Sequence, residues 1–391
     1  MRSVLLVLVV VCSACGPLTA GKDAGAGGGG GSLFTGGGGA TGGGATGGGT
    51  STGGGSATGG GSATGGGSAT GGGSATGGGG ATGGGGGTTG GGGGTGPLRW
   101  ASLSLGGVTG SGPIIAISGT ATDLYALQDN GNLYHSTGGA FSLQVQFTGG
   151  VKDLHVEGSL IVVLQYRAIR WCSSNCTSTA AFSMIDLVSP GLDSEATCGA
   201  GASTIAVIVS DVNSNGQLYE WNGSTFTRTN NNLGLHYPRS CWYAQGKLFV
   251  GGENKVIVVD QGAATPETLY AMGSTTLYGG FGAPDAVWVT GQGGALQRRV
   301  AGTWTEVTTG STQTLWTVGG PSANEIYVFG YYTSPQGNGF KWNGSALSPT
   351  GDLLPGAGAQ STIECSLVTG PDEMYAGGSN QSGPIVVRGR R

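Results

Sequence analysis

Apolar positions follow three regimes along the chain. From Val4 to Val11 they are consecutive; from about Lys22 to Gly94 they nearly vanish, with Leu33 and Phe34 the only sizeable ones. From Pro97 onward, short Val/Ile/Leu/Thr runs alternate with polar residues, and Gly, Asn and Ser clusters punctuate them every few residues. Alternation of this kind, bounded by turn residues, predicts many short antiparallel strands. No stretch carries an apolar 3.6-residue period long enough for a substantial helix, and glycines interrupt nearly every window of ten. The folded region is therefore expected to be all-β.

Within that region a single pattern recurs. SGTATDLYAL, GAPDAVWVTG, GPSANEIYVFG and TGPDEMYAGG share a turn followed by an apolar-aromatic pair, and EGSLIVVL, ASTIAVIV and QGKLFVGG keep the apolar run. With Tyr125, Ile161, Ala206, Phe249, Trp288, Tyr327 and Tyr375 as equivalents, the gaps are 36, 45, 43, 39, 39 and 48 residues. Units of roughly 42 residues suit a four-stranded propeller blade, and seven of them predict a seven-bladed β-propeller. Each unit continues into a third strand, such as NLYHS, IRWCS or FKWNG, and most into a fourth, such as AFSLQVQ, TFTRT or TWTEVTT. The last unit ends without its fourth strand. Arg99–Leu105 (RWASLSL) has the matching pattern and is expected to complete that blade, which would remove an open sheet edge. Two packed sheets in a β-sandwich are the alternative architecture.

Composition separates the regions further. Many of the 89 glycines sit in repeated Gly-Gly-Gly-Ser-Ala-Thr units that cannot bury enough surface to offset their ordering entropy. Residues 22–96 are thus expected to be a disordered linker with an end-to-end distance of roughly 45–50 Å. The Val4–Val11 run follows Arg2 and is too short to span a hydrocarbon core of about 30 Å, so it reads as a secretion signal.

The Ser13-Ala14-Cys15 ending resembles the bacterial lipobox, although Cys12 stands where that motif usually has Leu. The resemblance implies a signal peptide over 1–14, a lipidated N-terminus over 15–21 with acyl chains on Cys15, the linker, and a propeller domain over 97–391. The whole chain resembles a class of bacterial propeller lipoproteins with glycine-rich spacers, and its blades are loosely kelch-like. Gly16 lacks the aspartate associated with inner-membrane retention, so the expected location is the outer membrane, with the lipid as the membrane contact. These resemblances imply a fold and an anchor, and no activity.

Candidate chemistry is sparse. Asp123, Asp285, Glu325 and the Asp372/Glu373 pair each precede their own unit's apolar-aromatic strand, a repeated position that suits turn-forming acceptors better than catalysts. His135, His155 and His236 fall in no metal-spaced cluster. Asp211-Val212-Asn213-Ser214-Asn215-Gly216 resembles half of a calcium loop, making Asp211, Asn213 and Asn215 candidate calcium ligands; Asn222 stands where the distal glutamate would be, and an Asn-Gly hairpin turn explains the same residues. No other cofactor is implied. In an exported chain, Cys172 with Cys176 across a hairpin and Cys198 with Cys241 on neighbouring blades are candidate disulfides, and Cys365 a buried thiol. Past the linker the chain has 19 acidic and 14 basic residues, once Arg2, Lys22 and Asp23 are set aside, without a basic stripe. That argues against nucleic acid.

In a propeller, loops between second and third strands share one face and can vary without disturbing the blades. The richest are Ser210–Gly216, Gly330–Gly339 and Gly377–Gly383. They nominate Tyr331, Tyr332, Gln336, Asn338, Asn380 and Gln381 as ligand contacts, since aromatic rings with neutral hydrogen-bonding groups suit sugars or protein loops. The expectation is an envelope-anchored monomer that recognises a polysaccharide or another envelope protein. A propeller-type polysaccharide lyase or hydrolase is the competing enzyme reading, and a scaffolding disc without a ligand pocket is a third.

Overall fold

A computed structural model describes residues 96–391, apart from 109, 189–190, 270–274, 284, 334–336, 352 and 354–360; the side chains of 332 and 333 are also not described. The signal, Cys15, most of the linker and Gln336 lie outside the described residues. Among those described, structure is almost entirely strand, with single 3-10 turns at Thr179–Ala181 and Gln292–Gly294. No helix there is long and apolar enough to cross a membrane.

Strands β1 (Arg99–Leu103) and β2 (Leu105–Gly106) come first. Next are four-stranded antiparallel groups in simple up-and-down order. The first group is β3 (Ile114–Thr120), β4 (Asp123–Gln128), β5 (Asn132–Ser136) and β6 (Phe141–Gln146); the second is β7 (Val151–Glu157), β8 (Leu160–Gln165), β9 (Ala168–Cys172) and β10 (Ser183–Asp186). The third is β11 (Asp193–Gly199), β12 (Ile205–Ser210), β13 (Gly216–Trp221) and β14 (Phe226–Asn230); the fourth is β15 (Ser240–Ala244), β16 (Lys247–Gly251), β17 (Lys255–Asp260) and β18 (Ala263–Thr268). The fifth is β19 (Leu277–Ala283), β20 (Ala286–Gly291), β21 (Leu296–Val300) and β22 (Thr303–Glu306); the sixth is β23 (Leu315–Ser322), β24 (Glu325–Thr333), β25 (Gly337–Trp342) and β26 (Leu347–Pro349). The seventh has β27 (Thr362–Gly370), β28 (Glu373–Asn380) and β29 (Gly383–Arg390), and a Tyr331–Thr362 bridge joins it to the sixth.

The N-terminal strand supplies the missing fourth member: β1 pairs antiparallel with β29, from Arg99–Arg390 to Leu103–Val386. The expected strand through Leu105 is divided, however. Leu105 and Gly106 leave that sheet and pair in parallel with Phe141 and Ser142 of β6, so one segment ties two sheets together.

All seven residues aligned from sequence fall on second strands, where both faces are covered. Strands β8, β12 and β20 are buried along their whole length, which is why they read as unbroken apolar runs. Alternate residues enter different cores. Ile205, Val207 and Val209 pack with Leu160, Val162 and Leu164 of the second group, whereas Ala206 and Ile208 pack with Leu248 and Val250 of the fourth. The core is thus a series of sectors between face-packed sheets, each fully buried Val, Leu or Ile contributing about 1.5–3 kcal/mol. First strands pack on one another in succession, β3 on β7, β7 on β11, and so on to β27, which packs on β3. The glycines of β19 follow from this contact: a Cβ on Gly280 would sit 2.1 Å from Trp242, and one on Gly282 2.3 Å from Ala244. Outer strands such as β10 and β18 are largely exposed.

Candidate functional site

The first strands carry a repeated irregularity. In six of them the ladder slips by one residue near the start, leaving Ile115, Lys152, Glu195, Tyr278, Trp316 and Glu364 as the extra residues. In the fourth group Arg239 takes this place: its N–H bonds Gly251 O at 2.8 Å while Ser240 pairs with Gly251. A bulge re-aims the side chain it carries, so the same end of each first strand presents one residue outside the regular ladder.

Those residues meet their neighbours from group to group. Lys152 Nζ lies 3.6 Å from Glu195 Oε2, Glu195 Oε1 pairs with the Arg239 guanidinium, and Ser210 Oγ donates to Glu195 Oε2 at 3.0 Å. Arg239 acts electrostatically on Tyr278, whose ring centroid is 4.7 Å from that of Trp316; Trp316 in turn meets Tyr331 edge-on at 5.8 Å. Burial raises the Tyr278 phenol above its usual range, against the lowering effect of Arg239.

The charged section opens into a pocket of about 430 Å³, within the range of small-ligand sites. Its buried residues are Lys152, Glu195 and Ser210, at 7%, 6% and 8% exposure; Tyr166, Val212 and Tyr237, which also line it, are exposed at 36%, 80% and 44%. The floor is therefore polar, and Tyr166, Val212 and Tyr237 share the rim with exposed Arg167. Lys152 Nζ sits 4.8 Å from the Tyr166 ring centroid, and the Arg239 guanidinium 5.9 Å from that of Tyr237. A buried ion network is a weak source of net stability, because desolvating its charges offsets their attraction.

No protein-family model matches the chain, and no curated protein matches it. Three solved structures are similar across about three quarters of it. They are the YCF48 protein from Cyanidioschyzon merolae (TM-score 0.54, 11% identity, 74% of this chain and 98% of that one), the WD40 β-propeller domain of Doa1 (0.51, 10%, 75% and 97%) and the computationally designed Ika8 protein (0.51, 12%, 73% and 99%). The fold is propeller-like. At such identities the likeness concerns fold alone, and the four-stranded groups, called blades in chain order, resemble propeller blades.

Three pocket carboxylates bear on the enzyme alternative, and each is engaged. Glu195 receives Lys152, Arg239 and Ser210; Asp193 receives Arg167 Nε at 3.0 Å. Asp211 Oδ1 accepts the N–H groups of Asn213 and Asn215 at 2.8 and 2.9 Å, and Asn215 Nδ2 lies 3.3 Å from both its oxygens. Backbone donation from Asn215, the largest effect, helps hold Asp211 below the usual carboxylate range. Glycosidic hydrolysis needs two carboxyl groups facing each other across the sugar, whereas these three are turned to protein partners. Asp211, Asn213 and Asn215 form a side-chain-capped turn between β12 and β13, and no group of three or more His, Cys, Asp or Glu among the described residues is placed to hold a metal.

The contact set chosen from sequence lies on the adjoining sixth and seventh groups but divides between surface and interior. Tyr331 is 44% exposed and adjoins Trp316. Asn338 is fully buried: Nδ2 donates to Ser361 O and Oγ at 3.1 and 2.6 Å, and Oδ1 accepts from Leu353 N at 2.9 Å. That amide cross-links a loop and is removed from the surface set. Asn380 caps its own turn through Ser382 N at 2.8 Å, and Gln381 is exposed beside it. The backbone of Tyr332 is in β24.

Two disulfides are present. Cys172–Cys176 closes the loop after β9, so it does not span paired hairpin strands as expected; Cys198–Cys241 joins β11 to β15. Cys365, on β27, is buried with Sγ 3.7 Å from Ile114 O. Sequence reasoning missed Lys152, Glu195 and Arg239. Lys152 and Glu195 are charges inside first strands (VKDLHVE and DSEATCG), and Arg239 immediately precedes one (PRSC).

Proposed function

We propose that the chain is an envelope-anchored binding lipoprotein whose seven blades close into one seven-bladed propeller. Cys15 carries the lipid, residues 22–96 tether the domain to the outer membrane, and the pocket-bearing face takes a polysaccharide. Pairing of β1 with β29 and packing of β27 on β3 support closure. The Val4–Val11 run followed by Ser13-Ala14-Cys15 supports the anchor. The observation that carries the binding reading is the pocket itself, with buried Lys152 and Glu195 beneath exposed Tyr166 and Tyr237. Aromatic rims over hydrogen-bonding floors suit sugar rings.

The test uses the full chain made soluble by Cys15→Ser, exposed to envelope polysaccharide and envelope protein fractions. Polysaccharide should be retained, and Tyr166→Ala with Tyr237→Ala should abolish retention. Retention of protease-sensitive material alone, or unchanged retention by the double variant, would count against this function.

A further inference from the structure

The charges around the pocket suggest what kind of sugar fits. Lys152, Arg167 and Arg239 face Asp193, Glu195 and Asp211, so the formal charges balance. They are not equally occupied. Each carboxylate already accepts ion-pair or hydrogen-bond partners and so offers little to an incoming cation. Lys152 is the exception among the cations. Its ammonium has three donors, is 7% exposed, and makes no hydrogen bond to the described residues; its contacts are Glu195 Oε2 at 3.6 Å, beyond hydrogen-bond length, and the Tyr166 ring. It lines the pocket. Glu195 Oε2 balances its charge from 3.6 Å but leaves ammonium donors to spare, so an anionic oxygen supplied from the pocket would give it a charge-assisted bond.

The rest of the cavity fixes the size and shape of that anion. About 430 Å³ exceeds what a bare inorganic anion fills, and the rim offers exposed Tyr166 and Tyr237 ring surface to a flat partner. We infer that the pocket takes an acidic sugar residue, a pyranose ring bearing a carboxylate, with the carboxylate on Lys152 and the ring against the tyrosine rim. This rests on the polysaccharide-binding reading and narrows it to uronate-containing chains.

Calorimetric titration of the full-length Cys15→Ser protein with oligogalacturonate and oligomannuronate, each beside its methyl ester, tests the inference. At least one acid form should bind ten-fold or more tightly than its ester, which lacks the carboxylate charge and adds one methyl group. Lys152→Met should reduce that preference to within about two-fold, and Lys152→Arg should keep most of it. Equal binding of acid and ester to the unsubstituted protein would overturn the charge assignment while leaving sugar recognition standing, and it needs no pocket variant. Undiminished preference in Lys152→Met, or no binding of either uronate, would also overturn it. Retention of protein alone in the preceding experiment would sink both readings.

Discussion

Blades one, six and seven share one repeated side-chain contact between their second and third strands, and blades two, three and four lack it, blade four having Phe249–Val258 there. In the former, an acid at the strand start meets a basic side chain on the third strand, which lies over the aromatic ring two residues on. Asp123 Oδ1 is 2.7 Å from His135 Nε2, and that imidazole stacks on Tyr125 at 4.4 Å. Glu325 pairs with Lys341 at 2.7 Å, with Lys341 over Tyr327; Glu373 takes both Arg388 and Arg390, with Arg388 over Tyr375. Blade five keeps the ring and cation as Trp288 and Arg298. The corresponding cross-strand pairs in blades two and three are Ile161–Cys172 and Ala206–Glu220. These two blades carry disulfide cysteines, and the pocket opens beside them. The disulfides are the covalent links available to compensate for the missing contact.

If the sulfurs do compensate, removing them should have the largest effect. Cys198→Ala opens a bridge between residues 43 apart and should cost about 4 kcal/mol; Cys172→Ala, across a separation of 4, should cost about 2 kcal/mol. Urea unfolding would measure both, and equal small losses would mean that the bridges do not substitute for the missing device.

Acid titration should come next in size. His155, in blade two, is fully buried with both ring nitrogens unpartnered, and burial lowers its pKa to about 4. The unfolded chain takes up this proton near pH 6.5 and the folded one does not, so stability falls as pH drops from about 6.5 to 4. Relative to His155→Leu, the wild type should lose about 3 kcal/mol over that window. Nearby Asp153 acts in the opposite sense: burial raises it to about 8 despite hydrogen bonds from Thr197 N and Leu154 N, so its share of stability falls as pH rises from about 4 to 8. A pH-independent difference between wild type and His155→Leu would contradict the assignment.

The smallest effects grade the device itself. Glu373→Ala leaves half-buried Arg388 without its partner and should cost about 2 kcal/mol. Asp123→Ala breaks a pair whose side chains are 48% and 25% exposed, and should cost less than about 1 kcal/mol. Thermal unfolding of the two variants would show whether burial sets the ranking.

Much of the scaffold could be read from residues because it obeys local rules. Second strands buried on both faces are unbroken apolar runs, and Asp123, Glu325 and Glu373 recur at one offset from their aromatics. Outer strands β10, β18 and β26 escaped notice because exposed edges impose little pattern on SMID, AATPET or LSP. The division of Arg99–Leu105 between two sheets has no periodic signature either. The pocket was hidden for a different reason. The bulged residues differ in type from strand to strand, so Lys152, Glu195 and Arg239 carry no shared motif, and they meet because three successive first strands begin at one end. Choosing contacts from polar loop residues instead brought in Asn338, whose amide is consumed inside the fold.

Hydrogen exchange on the full-length Cys15→Ser protein, with and without the polysaccharide it retains, would locate the binding face directly. New protection should be confined to the turns at Tyr166–Arg167 and Asp211–Asn215 and the segment Tyr237–Arg239. Protection confined to the Tyr331 and Asn380 loops, or none in the pocket turns, would contradict a binding site built on Lys152, Glu195 and Arg239.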